Sequence, residues 1–206
     1  MDLGLDRLSD TLFKMAELSE KSVAKSIESY ASGISSFNEI KNWSDELRRE
    51  EDEISDFAVE LIARYKPVAS DLRYIKASME IAYGFSRFGR YALDISEVLD
   101  TFESLSECDH STVEATAKAT MEMLRMSIDA FTNKDVELAR NVSKMDDYVD
   151  EKYRLHIAGI TKNPGLTKCQ VSATLILRYL ERIADHASYI GESVVFIVTG
   201  EKSPRK

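Results

Sequence analysis

Apolar residues return every three or four positions along almost the whole chain, as in Leu5, Leu8, Leu12 and Met15 near the start and Leu175, Tyr179, Ile183 and Ile190 near the end. That spacing lines one face of an α-helix. The pattern predicts six helices, over 3–37, 41–65, 68–102, 110–132, 135–161 and 167–199. Its breaks have local causes. Pro67 stops the second helix, Asn163-Pro164-Gly165 stops the fifth, and Gly200 stands where a C-terminal cap belongs. Ser111 with Glu114 and Thr167 with Gln170 have the spacing of capping boxes at two of the starts. With 8 Gly and 3 Pro against 31% charged residues, the chain is poor in turn formers and rich in helix formers.

The pattern also repeats. Displaced by 95 positions, Asp52 falls on Asp147, Ile81 on Ile176, Arg87 on Arg182, Ala92 on Ala187, Ile95 on Ile190 and Glu97 on Glu192. Conservative matches join them, Ile54 with Val149, Phe85 with Leu180 and Phe88 with Ile183, all at positions that would face a core. The expected fold is therefore all-α, with six helices as two tandem, pseudo-symmetric three-helix bundles. The first unit covers 1–105 and the second 109–200, joined near Ser104 to Asp109, with a tail at 201–206. The first helices of the two units align poorly, Phe37 and Phe131 requiring a displacement of 94.

Charge narrows the function. Thirty-six acids against 27 bases give a net charge of −9, which repels a nucleic-acid backbone. The N-terminus carries acids where a secretory signal has bases, and the apolar run Val194 to Val198 falls far short of the ~20 residues that span a bilayer. A cytoplasmic protein without membrane insertion is expected. Cys108 and Cys169 have no CxxC spacing and no partner nearby in sequence, so they read as two reduced structural thiols.

The chemistry lies in carboxylates. Asp146 with Asp150, and Glu181 with Asp185, are i, i+4 pairs, each on one face of a helix. Asp146 and Asp185 are equidistant from a midpoint between Gly165 and Leu166, as are Asp150 and Glu181. That midpoint is the expected turn. Antiparallel helices of equal rise then carry the four acids at matching heights. Four converging carboxylates repel unless a cation or proton compensates them, which points to iron, manganese, magnesium or zinc. The alternative is an acidic face that is simply solvated.

Leu180-Glu181-Arg182-Ile183-Ala184-Asp185-His186-Ala187 resembles the ERIGDHA-type segment of PhoU proteins, and Pro67 to Arg73 resembles their P-x-x-x-DLR segment. The likeness extends over nearly the whole chain. It implies paired E/DxxxD motifs carrying divalent or trivalent metal, here Asp146, Asp150, Glu181 and Asp185. It also implies a negative regulator of phosphate uptake whose partners are the transporter ATPase and a sensor kinase. A homodimer is compatible with it. No catalysis is expected.

The first unit departs from the pattern. Displaced back by 95, the four acids become Glu51, Ser55, Ser86 and Arg90, so that site should be degenerate, with the Arg90 guanidinium beside Glu51 in the space of a metal. Asp52, Asp56 and Asp94 leave a residual site conceivable. In the second unit the DLR segment is lost, Leu166-Thr167-Lys168 standing near its place. Elsewhere, His110 reads as a cap or surface residue, His156 as a polar-face residue and His186 as a neighbour of the metal acids or a surface residue. Met121, Met123 and Met126 read as core, Trp43 as a packing anchor, and Arg73, Arg87 and Arg182 as ion-paired. The rival readings are a carboxylate-bridged metalloenzyme, which would need a His-bearing motif, and a metal-free helical adaptor.

Overall fold

The computed structural model describes residues 1–102, 104–162 and 165–201. Its helices are α1 (Asp2–Ser32), α2 (Phe37–Tyr65), α3 (Ala69–Phe102), α4 (Ser111–Asn133), α5 (Val136–Ile160) and α6 (Lys168–Thr199). Among the described residues there is no strand. The helix ends follow from capping chemistry. α1 stops short of residue 37 because Gly33 turns left-handed at φ 70 and donates its N–H to the Ser29 carbonyl. Lys66 adopts φ 47 after α2, and Pro67 then bars the helix from continuing. Gly200 closes α6 at φ 79, with its N–H on the Phe196 carbonyl. Of the segment expected to stop α5, Asn163 and Pro164 lie outside the described residues, as does the tail beyond Glu201.

Thr167 and Gln170 form a complete capping box at the start of α6. The box expected from Ser111 and Glu114 does not form. His110 holds the N-cap position of α4, and the Ser111 N–H is taken instead by Asp109 Oδ1 at 2.9 Å. Asp135 caps α5, accepting from the Leu138 N–H.

Each set of three helices packs among itself, and α3 meets α6 while α1 meets α4 across the seam. Exchanging the first three helices for the last three maps each contact within one unit onto one within the other and each seam contact onto itself, so the sequence repeat is also a repeat of packing. Its apolar pairs are buried at both copies: Ile54 with Val149, Ile81 with Ile176, Phe85 with Leu180, Phe88 with Ile183, Ala92 with Ala187 and Ile95 with Ile190. Phe37 and Phe131 are not equivalent, because Phe37 opens α2 whereas Phe131 lies in the last turn of α4.

α3 and α6 run past each other in opposite directions. Gly84 lies against Ile190, and Tyr91 reaches Tyr179. A Cβ on Gly84 would come within 2.9 Å of Ile190, so this glycine permits the close crossing. Because α3 is pressed by α1, α2 and α6, it is apolar on more than one face.

The cysteines correct the expectation of free thiols. Cys108 and Cys169 are joined in a disulfide with a Cα–Cα distance of 5.4 Å. They are 61 residues apart in sequence, but α4, α5 and the following turn bring the start of α6 back beside the link between the units. Lys168 Nζ also donates to the Ser104 carbonyl there, at 2.6 Å. Chain-entropy arguments value closure of a loop this long at about 4 kcal/mol, with typical measured effects of 2–4 kcal/mol. Replacing both cysteines with Ala should therefore lower the unfolding free energy by about 2–4 kcal/mol in denaturant titrations, without loss of helix content.

Candidate metal centre

α5 and α6 form an antiparallel hairpin with a close approach that a missing side chain permits. A Cβ on Gly191 would stand 2.8 Å from the Ala139 carbonyl oxygen. Nearer the turn, His156 Nε2 lies 3.0 Å from Thr174 Oγ1. These two contacts fix the register that the mirrored acids require. Asp146, Asp150 and Asp185 come together so that one carboxylate oxygen from each lies within 4.8 Å of the others. Glu181 lies outside that trio but one turn from Asp185, close enough for the charge of Asp185 to raise the cost of ionising it.

Asp146 is buried, and the other three acids are partly buried. Arginines on α6 answer part of the charge, Arg178 pairing with Glu181 Oε1 at 2.7 Å and Arg182 with Asp185 Oδ2 at 3.2 Å. The oxygens turned the other way are left over. Asp150 Oδ1 and Glu181 Oε2 are buried without a hydrogen-bond partner, although Arg182 Nε stands 3.9 Å from the latter. Burial pushes Glu181 up from its ordinary value, and the charge of Asp185 adds to the effect. Burial likewise raises Asp185, against the opposing pull of Arg182. An oxygen-only donor set with surplus negative charge and orphaned oxygens fits a hard or borderline cation.

The first unit has no comparable group of three among the described residues. Ser86 is buried, Glu51 and Ser55 are partly buried, and Arg90 is exposed. Arg90 does not pair with Glu51 as expected. Its Nη2 holds Asp94 Oδ1 at 2.7 Å, one turn along its own helix. The reason is register. Displacing Ala139 and Gly191 by 95 opposes Ser44 to Ser96, yet Ser44 and Leu47 lie against Gly89, one to two turns away. Three residues separate α2 from α3, whereas seven separate α5 from α6, so the two hairpins pair differently.

A PhoU domain model matches residues 12–99 and 113–194, which together cover most of the chain and its two halves. The chain belongs to the PhoU family. A phosphate-specific transport system accessory protein PhoU homolog of Synechocystis is 30% identical over 206 residues, covering 97% of this chain and 91% of the relative. A homolog from Thermotoga maritima is 32% identical over 168 residues, covering 76% and 69%. The crystal structure of PhoU from Pseudomonas aeruginosa superposes with a TM-score of 0.90 at 26% identity, covering 97% of this chain and 99% of that one.

In this PhoU fold no histidine joins the carboxylate trio among the described residues. His110 Nδ1 lies 2.7 Å from the Tyr30 hydroxyl. His186 is more enclosed than a surface residue: it is buried among Tyr83, Tyr91 and Tyr189. Desolvation, helped by Arg87 and Arg182, drops its pKa to about 4. The sequence held a sign of this cluster, since Tyr91 and His186 coincide under the displacement of 95. Arg182 is ion-paired as expected, but Arg87 donates to the Tyr91 hydroxyl at 2.7 Å. Met123 and Met121 are buried, and Trp43 packs against the core under Lys21 Nζ at 4.2 Å.

Two outcomes follow for this PhoU chain. Gly191→Ala should force α5 from α6 and cost about 1–3 kcal/mol of stability, while Gly159→Ala, which meets nothing within 4 Å, should gain about 0.5–1 kcal/mol. Denaturant midpoints of the two variants check this. The raised carboxyls of Glu181 and Asp185 favour the metal-free fold below the ordinary carboxylate range, and that contribution disappears as pH rises through their raised folded-state values. Without metal, Asp185→Asn should therefore be more stable than wild type at pH 7, with the difference shrinking as pH falls towards 4 in parallel melting curves.

Proposed function

We propose that the protein is an accessory regulator of phosphate transport that restrains uptake by binding partner proteins, with metal held on its second unit. The observation that carries this reading is likeness along nearly the whole chain to curated relatives named as phosphate-specific transport system accessory proteins. The partners are the transporter ATPase, the phosphate-responsive sensor kinase, or both. No helix is long and apolar enough to cross a membrane among the described residues, which fits work at the cytoplasmic side of a transporter. A net charge of −9 favours protein partners over nucleic acid. Tyr65, Val68 and Leu72 leave apolar area exposed at the α2–α3 turn for such a contact, Val68 at 75% exposure.

Asp146, Asp150 and Asp185 would supply oxygen ligands to a divalent or trivalent cation, iron, manganese, magnesium or zinc, with Glu181 as the fourth carboxylate. When bound, the cation would supply positive charge that relieves the repulsion among the acids of α5 and α6. Arg178 holds Glu181 Oε1 and Arg182 holds Asp185 Oδ2, while Glu181 Oε2 is buried without a hydrogen-bond partner. The role is binding and not catalysis.

The metal reading is checked by elemental analysis and calorimetric titration of those four metals on three proteins. Wild type should bind, and Glu51→Gln should match it. Asp150→Asn/Asp185→Asn should lose at least the roughly 10- to 100-fold that even outer-shell changes cost. Equal binding in all three would refute the assignment. Co-purification from cells should recover the transporter ATPase or the kinase, and a DNA titration at physiological salt should show no tight binding.

A further inference from the structure

We propose that Cys108 and Cys169 form a thiol–disulfide exchange site for dithiols, whose opening removes the covalent tether between the start of α6 and the link joining the two units. Both cysteines are partly exposed, and Glu107, Asp109 and Lys168 beside them are exposed, so a reductant can reach the bond. Their surroundings are unequal. Cys169 occupies the first turn of α6, beside Lys168, where the helix dipole and the neighbouring cation stabilise a thiolate. Cys108 sits in the link between Glu107 and Asp109, whose charges disfavour one. The electron pair of the S–S bond therefore leaves on Cys169.

The exchange balances with a dithiol as the named reductant. One thiolate of the dithiol attacks Cys108 Sγ, the S–S bond breaks, and Cys169 departs as a thiolate. The second thiol of the reductant, once deprotonated, attacks its own sulfur in the mixed disulfide and expels Cys108. The products are two protein thiols and the cyclised disulfide of the reductant. Two electrons and two protons pass to the protein in total.

Opening removes one of four ties on the link. Lys168 Nζ still donates to the Ser104 carbonyl, His110 still meets Tyr30, and Leu105 remains buried in the core. The link is thus retained without its covalent tether, and the fold survives. What changes is the local opening of residues 104–110 and of the first turn of α6.

The test uses the full chain and dithiothreitol. Oxidised protein is incubated at pH 7.5 without denaturant over a series of reduced-to-oxidised dithiothreitol ratios. Thiols are counted by alkylation and mass spectrometry, and amide hydrogen exchange is compared between the end states. The expected result is reversible reduction of the native protein, unchanged helical circular dichroism, and faster exchange in 104–110 and 168–172 with the rest unaltered. In single variants, Cys169 of Cys108→Ser should alkylate about tenfold faster at pH 7 than Cys108 of Cys169→Ser, following its larger thiolate fraction. Three results would each overturn the proposal: reduction only after unfolding, loss of the fold on reduction, or thiols that never pair under oxidised dithiothreitol. Equal alkylation rates would overturn the assigned leaving group.

Discussion

The crossing of α3 and α6 is the constraint on which the rest of the molecule depends. Each of these helices is the inner member of its own three-helix unit and also half of the seam between units. A helix that is packed on several sides cannot keep a wide polar face, and Phe85, Phe88, Ile183 and Ala184 at the centre of the seam are completely enclosed. Gly84 lets the two backbones approach. With the seam fixed, α2 and α5 are free to lie on the outside and carry charge.

That placement explains where chemistry can arise. α5 is less apolar than the inner helices and turns Asp146 and Asp150 towards α6, which answers with Glu181 and Asp185. A carboxylate between two helices is only partly solvated, so its charge is costly, and the cost is what raises Glu181 and Asp185. Arg178 and Arg182 reduce the cost without abolishing it. The acids are therefore held together by packing, through Gly191 and Ala139, against their mutual repulsion.

Much of this was legible in the sequence because helical periodicity and the 95-residue repeat are local or linear signals. The six helices, the buried pairs such as Phe88 with Ile183, and the grouping of Asp146 and Asp150 with Asp185 all follow from counting along the chain. What escaped depended on space. The Cys108–Cys169 bond joins residues whose separation carries no sign of contact. His186 is neighboured by tyrosines of α3, and the coincidence of Tyr91 with His186 under the repeat is a sign of likeness and not of contact. The end of α1 was missed for a different reason: Gly33 outweighed an apolar pattern that continues past it. The Ser111–Glu114 box does not form because Asp109, two residues earlier, takes the Ser111 N–H that the Glu114 side chain would accept, and the Glu114 N–H goes to the His110 carbonyl.

The unequal turns of the two hairpins bear on how such a duplicated protein can change. Restoring acids at Ser55, Ser86 and Arg90 by point substitution would not rebuild a second cluster, because the shorter connection after Tyr65 places different rungs of α2 and α3 beside one another. Once the two copies differed in turn length, the halves ceased to be interchangeable templates. As many residues join Ile54 to Ile81 as join Val149 to Ile176, so no insertion separates the copies. Bringing the first hairpin into the register of the second would require the first turn of α3 to leave the helix, which makes the difference between the halves one of helix length and not of chain length.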